Sequence, residues 1–158
     1  MEILVVVAII SLIASSILLN TSFNRPQDRL EAHTEKLAKT LTLLLQEAIL
    51  NDANYALGLI PEGYLVLQYD GEEWGIPADR FLGSLKTTHS FDDELVIDQQ
   101  LVAAAAADDP KPHILLLASG EMTPFEWAVR DRENELASTL RADLIGRIEI
   151  DPTAQGLQ

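Results

Sequence analysis

Residues 2–25, EILVVVAIISLIASSILLNTSFNR, decide the fold. No charge falls between Glu2 and Arg25, a stretch of 22 residues. As a helix that stretch is about 33 Å long at ~1.5 Å per residue, enough to cross a hydrocarbon layer about 30 Å thick. Between Ile3 and Leu19 stand twelve Ile, Leu or Val side chains and three serines. Each large aliphatic contributes roughly −0.3 to −0.6 kcal/mol to insertion, so together they supply about −4 to −7 kcal/mol. The reading is a single membrane-spanning helix. A cleaved secretory signal needs a basic start and a small-residue cleavage site. Glu2 has the wrong sign for that, and Ala14-Ser15-Ser16 lies inside the apolar run. Arg25, Arg29, Lys36 and Lys39 follow the span and nothing basic precedes it, so the positive-inside rule taken alone puts the body in the cytoplasm.

Past Pro26 the pattern becomes amphipathic. Leu30, Leu37 and Leu44 recur every seven residues, with Leu41, Leu45, Ala48 and Ile49 on the same side. Glu31, Glu35, Lys36, Lys39, Gln46 and Glu47 stand between them, which is helical periodicity with one stripe to bury. Leu30, Leu37, Leu41 and Leu44 are the expected helix-to-sheet packing residues. His33 falls on the apolar side, as a packed histidine rather than a ligand. Joined to the span, this helix makes one rod over residues 3–53, about 75 Å long, with a kink at Pro26. Asn51, Asp52 and Asn54 weaken it, and Gly58 ends it.

Strand signals follow. Tyr64–Tyr69 is β-prone and leads into Asp70-Gly71, a hairpin turn, with Trp74 and Ile76 beyond it. Leu95–Ile97 and His113–Ala118 are further strands, the second apolar enough to be buried on both faces. Phe125, Trp127 and Val129 alternate with Glu126, Ala128 and Arg130, and Leu136–Leu140 and Ile145–Ile150 complete the set. Ala103–Ala107 followed by Asp108-Asp109-Pro110-Lys111-Pro112 reads as a mobile loop, with a short helical turn over Gln99–Ala107 as the alternative. The fold class is α+β: a long amino-terminal helix packed on an antiparallel β-sheet body. The divisions are a transmembrane half of the helix over 1–24, an amphipathic half over 25–57, and a β-rich domain over 58–158.

Composition removes several functions. The chain has 158 residues with 25 acidic and 11 basic side chains, a net charge of −14, which disfavours nucleic acid as the main partner because phosphate binding runs on Lys and Arg. Without cysteine there are no disulfides, thiolate metal sites or cysteine nucleophiles. His33, His89 and His113 share no ligand spacing, and no GxSxG, P-loop or GxGxxG occurs. Asp92-Asp93-Glu94, with Asp98, is the densest acidic cluster, but it lacks the alternate spacing and central glycine of a calcium loop and reads as a solvated turn. Ser119 has no histidine motif to activate it and reads as a turn serine. No catalytic, cofactor-binding or metal-binding residue is assigned, and no cofactor is expected.

These pieces resemble the type IV pilin-like superfamily. There the mature chain begins with an N-methylated aromatic residue after a basic leader, and a glutamate follows four positions later within an apolar helix; Glu2 before ILVVVAIISLIAS fits the glutamate. Met1 stands just before it, and Pro26 comes later than the proline of that family. Ala53-Asn-Tyr-Ala-Leu-Gly-Leu, Gly63-Tyr64 through Trp74, and Ala118-Ser-Gly-Glu-Met-Thr-Pro-Phe125 resemble the GspH/FimT group of minor pseudopilins, the last close to its SGExTPF pattern at Ser119, Gly120, Glu121, Thr123, Pro124 and Phe125. Residues 80–112 are the least comparable. The resemblance implies a structural, non-enzymatic subunit of a type II secretion pseudopilus at or near its tip, supporting export of folded proteins across the outer membrane. It implies a single pass of the bacterial inner membrane, a periplasmic head, and a leader that resolves the charge asymmetry. The implied partners are major and minor pseudopilins and inner-membrane lipid, with secreted exoproteins or the outer-membrane secretin as further candidates. Glu2, costly in lipid unless paired, would meet a neighbour's amino terminus, and Ala8, Ser11 and Ser15 would let helices approach closely. The competing readings are a FimT-like pilus subunit for DNA uptake, a generic membrane-anchored binding module, and an anchored enzyme. The first of these needs a net-positive loop surface, whereas Arg130, Arg132, Arg141 and Arg147 lie among carboxylates.

Overall fold

The computed structural model describes residues 25–61, 63–83, 87–88 and 91–155. The expected span and Glu2, Ala8, Ser11 and Ser15 lie outside the described residues, as does His89. Among the described residues no helix is long and apolar enough to cross a membrane.

The first element is α1, Pro26–Asn51. Arg25 before it is extended, with φ −72° and ψ 139°, and Pro26 opens the helix. A proline pushes its predecessor out of helical geometry and has no N–H to lose in the first turn, so Pro26 starts α1; the part of the expected rod before Arg25 lies outside the described residues. The other end closes on Asp52, left-handed at φ 50° and ψ 44°, and the Ala53 N–H reaches back to the Ala48 carbonyl at 3.1 Å. The helix therefore stops short of the boundary expected at residue 57, and Tyr55–Ile60 is instead the first strand, β1. Its six residues are all buried. A strand covered on both faces has no alternation to separate it from the end of an apolar helix.

As expected, Leu30, Leu37, Leu41 and Leu44 are fully buried, along with Ala48. Thr34 and Thr40 share the stripe, and their hydroxyls donate to the carbonyls of Leu30 at 3.0 Å and Lys36 at 2.9 Å, so neither is buried unpaired. His33 packs its ring against Phe91, with centroids 5.3 Å apart.

Two antiparallel sheets receive this stripe. In the first, β1 pairs with β2, Gly63–Tyr69, from Tyr55 opposite Gln68 to Ile60 opposite Gly63. Outside β2 lie the short strands β3, Trp74–Gly75, and β4, Thr87–Thr88. A helical turn, α2, Arg80–Gly83, stands between them in the chain. The second sheet begins with β5, Asp92–Ile97, which turns through Asp98 and Gln99, both left-handed, into β6, Gln100–Leu101. This hairpin takes the place of the helical turn considered over Gln99–Ala107. The chain then returns to the first sheet as β7, Ile114–Leu116, beside β1. It crosses back for β8, Phe125–Asp131, β9, Leu136–Ala142, and β10, Ile148–Gln155, giving the order β10-β9-β8-β5-β6. The last strand starts three residues later than expected. Asp143 accepts the N–H groups of Ile145 and Arg147, and Gly146 sits at φ 76°, so residues 143–147 form a turn.

Phe125, Trp127 and Val129 face inward, with Glu126 and Arg130 outward, as the alternation requires. Trp127 lies at the centre, edge-on to Tyr64 at 6.0 Å and to Phe125 at 6.4 Å. With Leu57, Val66, Ile114 and Leu116 from the first sheet, and Leu95, Val129 and Leu140 from the second, they join the α1 stripe in one core.

The outer face of the first sheet carries Ala56, Ile60, Leu65 and Leu67, with Trp74 and Leu115 packed against them. The segment after β6, expected to be a mobile loop, is tied along this sheet. Ala105 N–H donates to the Leu59 carbonyl at 2.9 Å and His113 N–H to the Leu57 carbonyl at 3.1 Å. The Leu59 N–H in turn donates to Nδ1 of His113 at 2.9 Å. An imidazole nitrogen thus stands where a neighbouring strand's carbonyl would, and the strap continues the edge of β1 beyond β7. Gly58 makes room for it: a Cβ there would lie 2.8 Å from the Lys111 carbonyl oxygen.

Gly58→Ala is expected to push the strap outward and cost about 1–3 kcal/mol, as overpacking does. Hydrogen exchange at the amides of Ala105 and His113 should accelerate while the β8–β9 amides stay protected. The Tyr64 hydroxyl is buried without a hydrogen-bond partner among the described residues. Tyr64→Phe therefore removes an unmet polar group, and thermal melting should show stability unchanged or raised by about 1 kcal/mol.

Candidate functional site

The Ser119–Phe125 segment is the seam between the sheets. Past β7, the Leu117 N–H donates to the Glu121 carbonyl and the Gly120 N–H to the Leu117 carbonyl, both at 2.9 Å. Gly120 has φ 89°, a conformation that side chains disfavour. The Ser119 hydroxyl donates to the Glu121 carboxylate at 3.0 Å. Met122 then bridges to Leu116. Thr123 holds Leu115 from both sides: its N–H donates to the Leu115 carbonyl at 2.9 Å, and its hydroxyl oxygen accepts the Leu115 N–H at 3.0 Å. Pro124 has no N–H to continue this pairing, and Phe125 opens β8 in the other sheet. The Met122 N–H meanwhile donates to the Leu144 carbonyl at 3.0 Å, in the turn after β9. Met122 and Phe125 are both buried in the shared core.

Two of the segments that carry the family resemblance meet here. The Asn54 side-chain oxygen accepts the Ala118 N–H at 3.0 Å, and its carbonyl accepts the Tyr69 N–H at 3.0 Å. One asparagine, in the link from α1 to β1, thereby fixes the end of β2 and the start of the seam.

The end of α1 closes over the same place. A Cβ on Gly120 would lie 3.5 Å from Cδ1 of Ile49, and one on Gly146 would lie 2.3 Å from Cδ2 of Leu45 and 3.8 Å from the Gly120 carbonyl. The last turns of α1, the Gly120 turn and the Gly146 turn therefore form one corner. It is apolar and open: Ile49 is 51% exposed, Leu144 54% and Ile145 69%. Periodicity assigns Ile49 to the buried stripe, so the sequence reading missed this corner. A signal was present in Leu144-Ile145-Gly146, two large aliphatics inside a turn.

Among the described residues, the arginines of the β8–β9 hairpin stand beside carboxylates. Arg130 pairs with Glu94 at 2.7 Å, and Arg141 with Glu126 at 2.9 Å and Asp151 at 3.0 Å; Arg132 pairs with Asp92. Asp93 accepts the Trp127 indole N–H at 2.9 Å. The Asp92–Glu94 cluster is thus part of strand β5 with its carboxylates committed to arginines and an indole, not the solvated turn expected from sequence. Such exposed pairs contribute about 1 kcal/mol or less each, and their effect is on the field. Nδ1 of His113 is an acceptor, so its proton sits on Nε2. Burial first, and then the Lys111 cation, hold its pKa below the ordinary 6.5.

No family model matches the chain. A type II secretion system protein H of Pseudomonas aeruginosa is 30% identical over 146 residues, covering 85% of this chain and 82% of the relative. A structure of the minor pseudopilin EpsH from the type 2 secretion system of Vibrio cholerae superposes with a TM-score of 0.61 at 18% identity, covering 79% of this chain and 98% of that one. A crystal structure of EpsH from the same organism gives 0.61 at 17% identity, covering 84% and 99%. These two likenesses show the pseudopilin fold: one helix on antiparallel sheets.

Thr123→Val leaves the Leu115 N–H without its acceptor and is expected to cost about 1–3 kcal/mol in urea unfolding, with Thr123→Ser, which keeps the oxygen, costing less. The depressed His113 pKa means that the unfolded chain binds the extra proton more readily. The stability it contributes is complete above about pH 6.5 and is lost as pH falls through the lower folded value. Melting temperature should therefore fall between pH 7 and 5.5 more steeply in the wild type than in His113→Asn, whose amide oxygen can still accept from Leu59.

Proposed function

We infer the function from one premise: the chain belongs to the protein H family of the type II secretion system, the minor pseudopilins, and its role in the pseudopilus is structural. The observation that carries this is the match to protein H across most of the chain. The helix stripe buried on two sheets and the seam at Ser119–Phe125 give that match a physical content. The chain works through shape and contacts with other pseudopilins, in a pseudopilus assembled from the inner membrane.

The finer reading is that the subunit sits at or near the tip and catalyses no reaction. Residues 1–24 cross the inner membrane once and the head, from α1 onward, stands in the periplasm. Glu2 supports assembly by pairing with a neighbour's amino terminus, since a lone carboxylate in hydrocarbon is costly. Ala8, Ser11 and Ser15 support close packing of the apolar helices. The lack of a catalytic role is supported by the Ser119 hydroxyl, bonded to Glu121, and by His113, whose Nδ1 is occupied by a backbone amide. The DNA-uptake reading is opposed by the pairing of Arg130, Arg132 and Arg141 with carboxylates.

The test is complementation in a host whose own protein H gene is deleted. The full precursor should restore secretion, and Glu2→Ala in that precursor should lower it at least tenfold while the chain still fractionates with the inner membrane. Secretion by Glu2→Ala at the wild-type level would remove the assembly role of Glu2. Failure of the wild-type precursor to restore secretion would overturn the functional reading.

A further inference from the structure

We propose that the strap, residues 103–112, is a proton-operated latch: it lies closed on the edge of β1 while the His113 imidazole is neutral, and it opens when that imidazole takes up a proton. The inference rests on the geometry of the head and stands apart from the functional reading above.

How the strap is held is the first argument. None of residues 103–112 is buried, so no side chain of the strap is anchored in the core. Its attachment is polar and converges on one residue. Leu59 accepts the Ala105 N–H at its carbonyl at 2.9 Å and donates its own N–H to Nδ1 of His113 at 2.9 Å. A third bond, from the His113 N–H to the Leu57 carbonyl at 3.1 Å, lies just before β7 and continues that strand's pairing. Segments with few buried contacts open locally at a much lower free energy than the domain unfolds.

The chemistry of the acceptor is the second argument. A backbone carbonyl accepts a hydrogen bond at any pH, whereas an imidazole nitrogen accepts only while it carries no proton. Once protonated, Nδ1 is itself a donor and faces the Leu59 N–H donor to donor. The ring must leave, and the Leu59 N–H loses its partner. Of the two bonds that meet at Leu59, only the one from Ala105 then holds the strap.

The charges around the ring act in the same direction. Burial comes first and the Lys111 cation second, and both hold the His113 pKa below the ordinary 6.5. Asp108 and Asp109, on the same strap, do not offset them. From the strands alongside, β1 brings the phenol of Tyr55, β2 those of Tyr64 and Tyr69, and β7 no titratable group. In the open strap the ring meets water and its pKa returns to about 6.5, so the open form binds the proton more tightly. Opening therefore rises as pH falls below that value, by about tenfold per pH unit until the closed form also takes up the proton.

Hydrogen exchange on the full chain in detergent reads the latch, with each amide rate divided by its intrinsic rate at the same pH. Between about pH 7.5 and 5, protection of the Leu59 and Ala105 amides should fall by about fivefold or more, while the Trp127 and Val129 amides of β8 keep theirs. His113→Asn, whose side-chain oxygen accepts at either pH, should show no such fall. In the wild type, the ring carbons of His113 should titrate with the same midpoint as the two amides, below 6.5. Protection that stays level in the wild type, falls equally in His113→Asn, or falls together with that of β8 would overturn the proposal. If His113→Asn leaves the strap open at both pH values, the wild type decides alone: a shared midpoint for ring and amides supports the latch, and separate midpoints sink it.

Discussion

A single leucine stripe must be buried against two sheets at once. Leu30, Leu37, Leu41 and Leu44 leave no side of the stripe in water, and their neighbours come from both sheets. Truncating any one of such residues costs about 2–5 kcal/mol, a large part of the stability of a domain this size. Neither sheet alone could supply this core: Trp127 and Leu140 come from one, Tyr64, Ile114 and Leu116 from the other. The chain alternates between the sheets, leaving the first after β4, returning as β7 and leaving again at Pro124, so the helix is the wedge around which both are held.

That constraint suits a subunit whose work is mechanical. A load on this head is met by the full buried length of α1. The seam then spreads it, because Met122 hydrogen-bonds to the turn after β9 while Thr123 grips β7 on both its donor and its acceptor. Asn54 adds the helix end to the same network. A head stitched in this way ties the helix end, the seam and both sheets into one network.

What could be read from sequence follows from where periodicity is single-valued. The α1 stripe and the β8 alternation each have one wet face and one dry face, so their periods of about 3.6 and 2 are visible. Strand β1 is dry on both faces, and Tyr55–Ile60 therefore carried no period and was absorbed into the helix end. The strap was legible only as Ala- and Pro-rich chain, because its anchor is a side-chain nitrogen of His113 doing the work of a carbonyl 54 residues away. Asp92–Glu94 looked like a turn because three successive carboxylates seldom suit a strand. The arginines of the neighbouring hairpin and the Trp127 indole make it one. The Ser119–Phe125 motif could be recognised by resemblance, but its job as a seam needed Leu115 and Leu144 in place.

The open corner and the buried stripe are made of the same kind of residue on the same helix, and geometry gives them opposite fates. Ala48 is sealed and Ile49, one residue on, is half in water. The difference lies in what stands opposite: Leu41 and Leu44 meet side chains, whereas Ile49 meets Gly120 and Leu45 meets Gly146. Both glycines hold positive φ, 89° and 76°, so the turns that place them are already costly for any other residue. Two turns that require glycine thus deny the end of α1 the side chains that would have covered it. The exposure of Ile49 is built into the backbone that joins the two sheets.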